Sequence, residues 1–216
     1  MPPLFSSDYC VDLVLLLDLS GDKIDFLGRL TDFLADAETV FESFFSECGK
    51  SLHGLRVRVV GFRDPNTGEN FVESRFFALP DEAEELCAFV RGLRAFGPSG
   101  NRESFEEAVE RAFSSDFVGE QDGVRAIRTV AIFSDSPFGF ESTLPERLKP
   151  IADSYTPKLG QGFSFLPYRY ITYMPESPEW LDSLPVNIFK SAAVPVESFG
   201  ELREVDFSGL VEFICF

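Results

Sequence analysis

Val11-Asp12-Leu13-Val14-Leu15-Leu16-Leu17 runs directly into Asp18-Leu19-Ser20-Gly21-Asp22. A short, almost unbroken apolar run rich in Val and Leu, stopped by turn residues, reads as a β-strand covered on both faces. Strands of that kind belong to parallel sheets flanked by helices. The acids and hydroxyl that follow then sit at the strand's carboxyl end, where open α/β sheets carry their ligands.

The chain on either side supports this reading. After the turn, Ile24, Leu27, Leu30, Leu34, Phe41, Phe44, Phe45 and Cys48 recur at three- and four-residue steps, the pattern of one long amphipathic helix closed by Gly49. Leu55 to Phe62 is a second strand, with Leu55, Val57 and Val59 alternating against Arg56 and Arg58. Asp64-Pro65-Asn66-Thr67-Gly68 is turn chemistry, so Phe71 to Leu79 should fold back as an antiparallel edge strand. Helices are expected over 81–93 and 103–113, a buried strand over 127–133, a helix over 144–153 and a strand over 168–174. A short helix over 178–184, a weak strand over 186–189 and a closing helix over 206–216 complete the series. Alternating strands and helices predict one α/β domain over residues 1–216. Its expected form is a doubly wound, mostly parallel six-stranded sheet with one antiparallel edge strand and helices on both faces.

Composition narrows the function. With 19 Lys and Arg against 36 Asp and Glu, the 216 residues carry a formal charge of −17. That excludes a dedicated nucleic-acid binder, which needs a cationic surplus for phosphate contacts. It suits a basic protein partner or a divalent cation. Met1 to Tyr9 has neither the basic stretch nor the cleavage site of a signal peptide, and 11–19 is too short for a membrane span. Cys10, Cys48, Cys87 and Cys215 lie far apart with no CxxC spacing, as for reduced thiols in a cytoplasmic protein. His53 is the sole histidine, which removes any site that requires two.

Two of the most apolar strands end in acids, Asp18 and Asp135. If those strands are neighbours, their carboxylates converge. Asp18, Ser20 and Asp22 stand at alternate positions of one tight turn and offer three oxygens to one point. A hard cation such as Mg²⁺ or Mn²⁺ takes about six oxygens in near-octahedral array, some from water. Asn101 and Glu103, after the Gly97-Pro98-Ser99-Gly100 loop, are the further candidates. Plainer roles compete for the same residues. Ser20 or Asp22 caps the following helix, Glu103 serves the helix dipole, Asp135 fixes a turn, and Lys23 or Arg102 neutralises the cluster without metal. Phe138 and Phe140, flanking a glycine in the loop after Asp135, are candidate partner contacts or core rings.

Asp18-Leu19-Ser20-Gly21-Asp22, Phe133-Ser134-Asp135 and the segment Gly97 to Ala108 together resemble the von Willebrand factor A domain family. The likeness is to the metal-ion-dependent adhesion site with its Asp-x-Ser-x-Ser turn. The middle segment and Met174-Pro175-Glu176-Ser177-Pro178-Glu179-Trp180 are similar to bacterial intracellular members of the tellurium-resistance TerY type. Asp22 replaces the second Ser, Lys23 follows it, and no Thr stands at the middle position. The resemblance implies a non-catalytic adaptor or scaffold with Mg²⁺ or Mn²⁺ at Asp18, Ser20, Asp22, Asn101, Glu103 and Asp135. It also implies work in a bacterial stress or defence system beside an AAA-type ATPase or a kinase or phosphatase module. The alternative is a Mg²⁺-dependent phosphohydrolase of the haloacid-dehalogenase type with Asp18 as nucleophile. That mechanism places a second acid two positions on, where this chain has Ser20.

Overall fold

In the computed structural model, which describes residues 8–98, 102–119, 124–136, 144–154, 168–175, 189–196 and 198–216, the apolar run is the central strand of the sheet. This strand, β1 (Asp8–Asp18), pairs in parallel with β2 (Ser51–Phe62) on one side and β5 (Val124–Phe133) on the other. β6 (Tyr168–Met174) and β7 (Phe189–Pro195) extend the parallel array beyond β5. On the opposite edge, β3 (Phe71–Glu73) and β4 (Phe77–Leu79) both run antiparallel to β2. The sheet therefore has seven strands, in the order β3-β2-β1-β5-β6-β7 with β4 also on β2. Since the chain turns to β2 on one side of β1 and later crosses to β5 on the other, the order reverses at the β1–β5 boundary.

Three departures from the sequence reading have local causes. The expected strand over 71–79 is cut in two at Ser74. The Ser74 hydroxyl accepts the Val59 N–H at 2.9 Å and donates to the Arg75 carbonyl, standing in for a ladder bond and bending the edge. The single helix expected over 24–48 is α1 (Ile24–Ala35) and α2 (Ala37–Glu47), separated by Asp36 at φ −112° and ψ 6°. Asp is a poor helix-interior residue, and the break lets α1 pack on α3 (Ala83–Gly92) while α2 packs on β2 and α7 (Phe207–Cys215). The last strand runs on over 189–195, past the end expected at 189, while residues 186–188 lie outside the described residues; its Ser-Ala-Ala-Val stretch is largely exposed, as an edge strand allows. Residues 178–184, expected as a helix, lie outside the described residues.

Two apolar cores, one on each face, fix the layers. Leu13, Leu15, Leu17, Val57 and Val59 pack under α1, α2, α3 and α7. Val14, Leu16, Val60, Phe62, Val130 and Ile132 pack under α4 (Arg102–Phe113) and α5 (Leu144–Ser154) through Phe105, Val109, Phe113, Leu144 and Leu148. The alternation along β1 sends odd positions to one core and even positions to the other. Asp12 is the polar exception, 1 % exposed. Its carboxylate receives Arg56 Nε at 2.8 Å, Arg56 Nη2 at 2.6 Å and the Val118 N–H at 2.6 Å, which satisfies a charge on an otherwise apolar strand.

Candidate functional site at the carboxyl ends of β1 and β5

Register builds the site. Leu17 of β1 lies opposite Phe133 of β5, so the next residues, Asp18 and Ser134, meet where both strands stop. Asp18 is 3 % exposed, and both its oxygens are used. Oδ1 accepts the Ser20 N–H at 3.0 Å, which folds the turn back on its first residue. Oδ2 accepts the Ser134 hydroxyl at 2.7 Å, and Ser134 Oγ in turn accepts the Ser136 N–H at 3.0 Å. One carboxylate thus ties the β1 turn to the β5 turn.

A lysine supplies the opposite charge. Lys23 is 1 % exposed, and its ammonium lies 2.9 Å from Asp135 Oδ1. The Gly21 backbone passes over it at φ 64°, a conformation that favours glycine. A β-carbon placed on Gly21 would come within 4.0 Å of Lys23 Nζ. The turn is pinned from outside by backbone bonds, Leu19 N–H to the Phe62 carbonyl at 2.9 Å, Phe96 N–H to the Leu19 carbonyl at 3.0 Å and Gly21 N–H to the Gly97 carbonyl at 3.0 Å.

Arg63, next after β2, completes the frame. It is buried and donates to the Arg94 carbonyl from Nε at 3.0 Å and Nη2 at 2.7 Å, holding the 94–97 segment against the turn. Burial pulls its guanidinium below the ordinary range, with Glu69 opposing, yet an arginine keeps its charge. The rule that drew attention to Asp18 and Asp135, a polar residue just past a buried strand, would also have found Arg63 and Ser134.

Among the described residues, no hydrogen bond or ion pair ties the remaining sequence candidates to this cluster. Asp22 is exposed, and its Oδ1 accepts the Ile24 N–H at 3.1 Å at the start of α1, the capping role weighed against metal binding. Glu103 is exposed in the first turn of α4. Arg102 pairs with Glu106 at 2.9 Å rather than with the strand-end acids. Asn101, Ser99, Phe138 and Phe140 lie outside the described residues. Two exposed side chains stand next to the turn instead: Ile24, read from sequence as part of the apolar helix face, is 73 % exposed, and Phe96, which the sequence reading passed over, is 42 % exposed.

A resident Mg²⁺ or Mn²⁺ needs several oxygens turned to one point. Asp18 is committed to two protein donors, Asp135 to an ammonium and Asp22 to a helix end. Among the described residues, no three His, Cys, Asp or Glu side chains are gathered as a metal ligand set. With Lys23 in place, the described residues at this edge do not gather an oxygen set that fits the ion.

No family model matches the chain, and no curated protein does. Solved structures do. The pilus adhesin SpaC from Lactobacillus rhamnosus GG, in its open conformation, matches at TM-score 0.53 and 9 % identity, over 96 % of this chain and 30 % of the adhesin. A von Willebrand factor type A protein from Catenulispora acidiphila matches at TM-score 0.48 and 14 % identity, over 95 % of this chain and 42 % of that one. Proximal thread matrix protein 1 from the mussel byssus, described with a zinc-occupied MIDAS motif, matches at TM-score 0.45 and 14 % identity, over 96 % and 48 %. The chain therefore spans less than half the length of each of these proteins. At such identities the likeness is one of fold alone, a doubly wound, mostly parallel α/β sheet.

Proposed function

We propose that this chain is a non-catalytic protein-interaction module of von Willebrand factor A type, which docks a partner on the carboxyl-end face of its sheet. The observation that carries the reading is the closed polar centre beside two open apolar side chains. Asp18 and Asp135 spend their charge on internal partners, while Ile24 and Phe96 leave much of their surface to solvent next to them. Apolar anchors beside a satisfied polar centre are the composition of an interface hot spot. The charge of −17 favours a basic partner, with an on-rate that falls as salt rises. An AAA-type ATPase or a kinase or phosphatase module in a bacterial stress or defence system is the partner class we retain, by family analogy. The module works in the cytoplasm in this reading; no helix among the described residues is long and apolar enough to cross a membrane.

The phosphohydrolase alternative asks Asp18 to attack phosphorus. A nucleophile needs an oxygen that substrate can reach, and Asp18 is 3 % exposed, its carboxylate turned to the Ser20 N–H and the Ser134 hydroxyl. The test is affinity capture from the native host with wild type and with Ile24→Ser/Phe96→Ser, beside p-nitrophenyl phosphate turnover in Mg²⁺. A partner held by wild type and lost by the folded double variant supports the module. Turnover that Asp18→Asn abolishes replaces it with the enzyme.

A further inference from the structure

The buried lysine is the feature that the interaction reading leaves unexplained. Lysine is almost never fully buried unless paired. Lys23 is buried at the worst place for a cation, the amino-terminal end of α1, where the helix dipole is positive. A solvated side chain at the same position was open to it, since its neighbours Asp22 and Ile24 are both exposed. Instead the chain bends back under the Gly21 backbone and delivers the ammonium to Asp135 at 2.9 Å, on the edge where Asp18 and Ser134 also meet. The acid that follows β5 thereby holds a positive charge that belongs to the polypeptide.

We propose that Lys23 is a tethered counter-ion: its ammonium occupies the position of positive charge at the β1–β5 edge and so closes the Asp18–Asp135 turn to Mg²⁺ and Mn²⁺. The face is then assembled permanently, and its use does not depend on the supply of a divalent ion. An ammonium offers donors only, so it serves Asp135 from inside. At 1 % exposure it has no open coordination position for a partner's carboxylate. Docking at this face therefore does not run through an ion bridge. The inference takes its face from the interaction reading, but it is tested without a partner.

The probe is Mn²⁺ alone, followed by calorimetry and by the electron-paramagnetic-resonance signal of the free ion, on wild type, Lys23→Ala and Lys23→Ala/Asp135→Asn. Wild type should not bind at millimolar Mn²⁺. Removing the ammonium leaves Asp135 an uncompensated charge, so Lys23→Ala should gain one site at least about tenfold tighter than any wild-type binding. The second substitution should abolish that gain. Should Lys23→Ala fail to fold in EDTA, refolding from urea in Mn²⁺ reads the same gain as recovery of the native circular-dichroism signal. Wild-type binding that Asp135→Asn removes would overturn the proposal, as would Lys23→Ala with neither a new site nor recovery in Mn²⁺. Failure of the capture experiment above leaves all of these readings unaffected.

Discussion

Asp18→Ala is the substitution that asks most of this account. It removes the acceptor of the Ser20 N–H and of the Ser134 hydroxyl, both in buried surroundings. A buried donor left unpaired costs about 1–3 kcal/mol. Two such donors, less the relief of no longer burying a carboxylate, put the loss at about 2–5 kcal/mol. For a domain of this size each kcal/mol moves the melting temperature by about 2–4 °C, so a fall of roughly 5–15 °C is expected. Asp18→Asn keeps one acceptor oxygen for Ser20 and should lose about 1 kcal/mol. The assay is urea and thermal unfolding, each run in 10 mM MgCl₂ and in EDTA. An ion bound at a hundred times its Kd would stabilise wild type by about 2.7 kcal/mol and would inflate the mutant's deficit in Mg²⁺ only. The structure gives the same deficit in both buffers. An Asp18→Ala variant within 0.5 kcal/mol of wild type, or a deficit that appears only with Mg²⁺, would refute the reasoning.

Two further outcomes follow from other parts of the molecule. Lys190 donates to the Phe213 carbonyl at 2.9 Å, and burial, with Arg169 and Lys50 nearby, pulls its ammonium down to about 8. Between pH 8 and its unfolded value of 10.5, the unfolded chain holds more protons there than the folded one, so stability contributed by this site rises with pH. Relative to Lys190→Met, wild type should gain about 1 kcal/mol from pH 7.5 to 10, the figure reduced for the part of the side chain in water. Cys215, whose thiol burial pushes up to about 12, acts oppositely above pH 9, and more so in Lys190→Met, where the lowering influence of the Lys190 charge on that thiol is gone, so the difference keeps its sign; parallel urea-midpoint profiles would contradict the assignment. Gly61→Ala sets a β-carbon 2.4 Å from Leu19 Cδ1 and 3.2 Å from Cγ, and overpacking of that kind costs about 1–3 kcal/mol. Gly61→Ala/Leu19→Ala should be less destabilised than the sum of the single variants, and strict additivity would show that the two positions do not share the slot.

What the sequence made legible is the part written in apolar periodicity. β1, β5 and β6 are largely buried on both faces and β2 alternates Leu55, Val57 and Val59 against Arg56 and Arg58, patterns that leave one reading, and α4 carries its apolar face without interruption. The breaks at Asp36 and Ser74 were hidden because a single polar residue interrupts neither pattern. Their effect comes from backbone geometry and from a hydroxyl reaching a strand that is distant in sequence. The extent of β7 past Phe189 was hidden because an edge strand needs little apolar content. At the site, the sequence marks Asp18 and Asp135 as acids just past two buried strands, while the adjacency of those strands is a matter of strand order, which only the fold shows. The use of Lys23 was not legible, since a lysine after an acid equally reads as a solvated charge, and only the path of the turn under Gly21 decides where its ammonium goes.

The bond between Asp18 and Ser134 joins positions 116 residues apart, and the ion pair from Lys23 to Asp135 spans nearly as many. Neither can form while the sheet consists of β1, β2 and the short antiparallel strands alone. The entropy of closing so long a loop falls on the step that lays β5 beside β1. During synthesis, the first half of the chain has the acid and the lysine but not their partners. The finished turn is therefore a late product of folding. A protein that recognises it recognises a completed sheet, and a truncated or half-folded chain does not present the same surface.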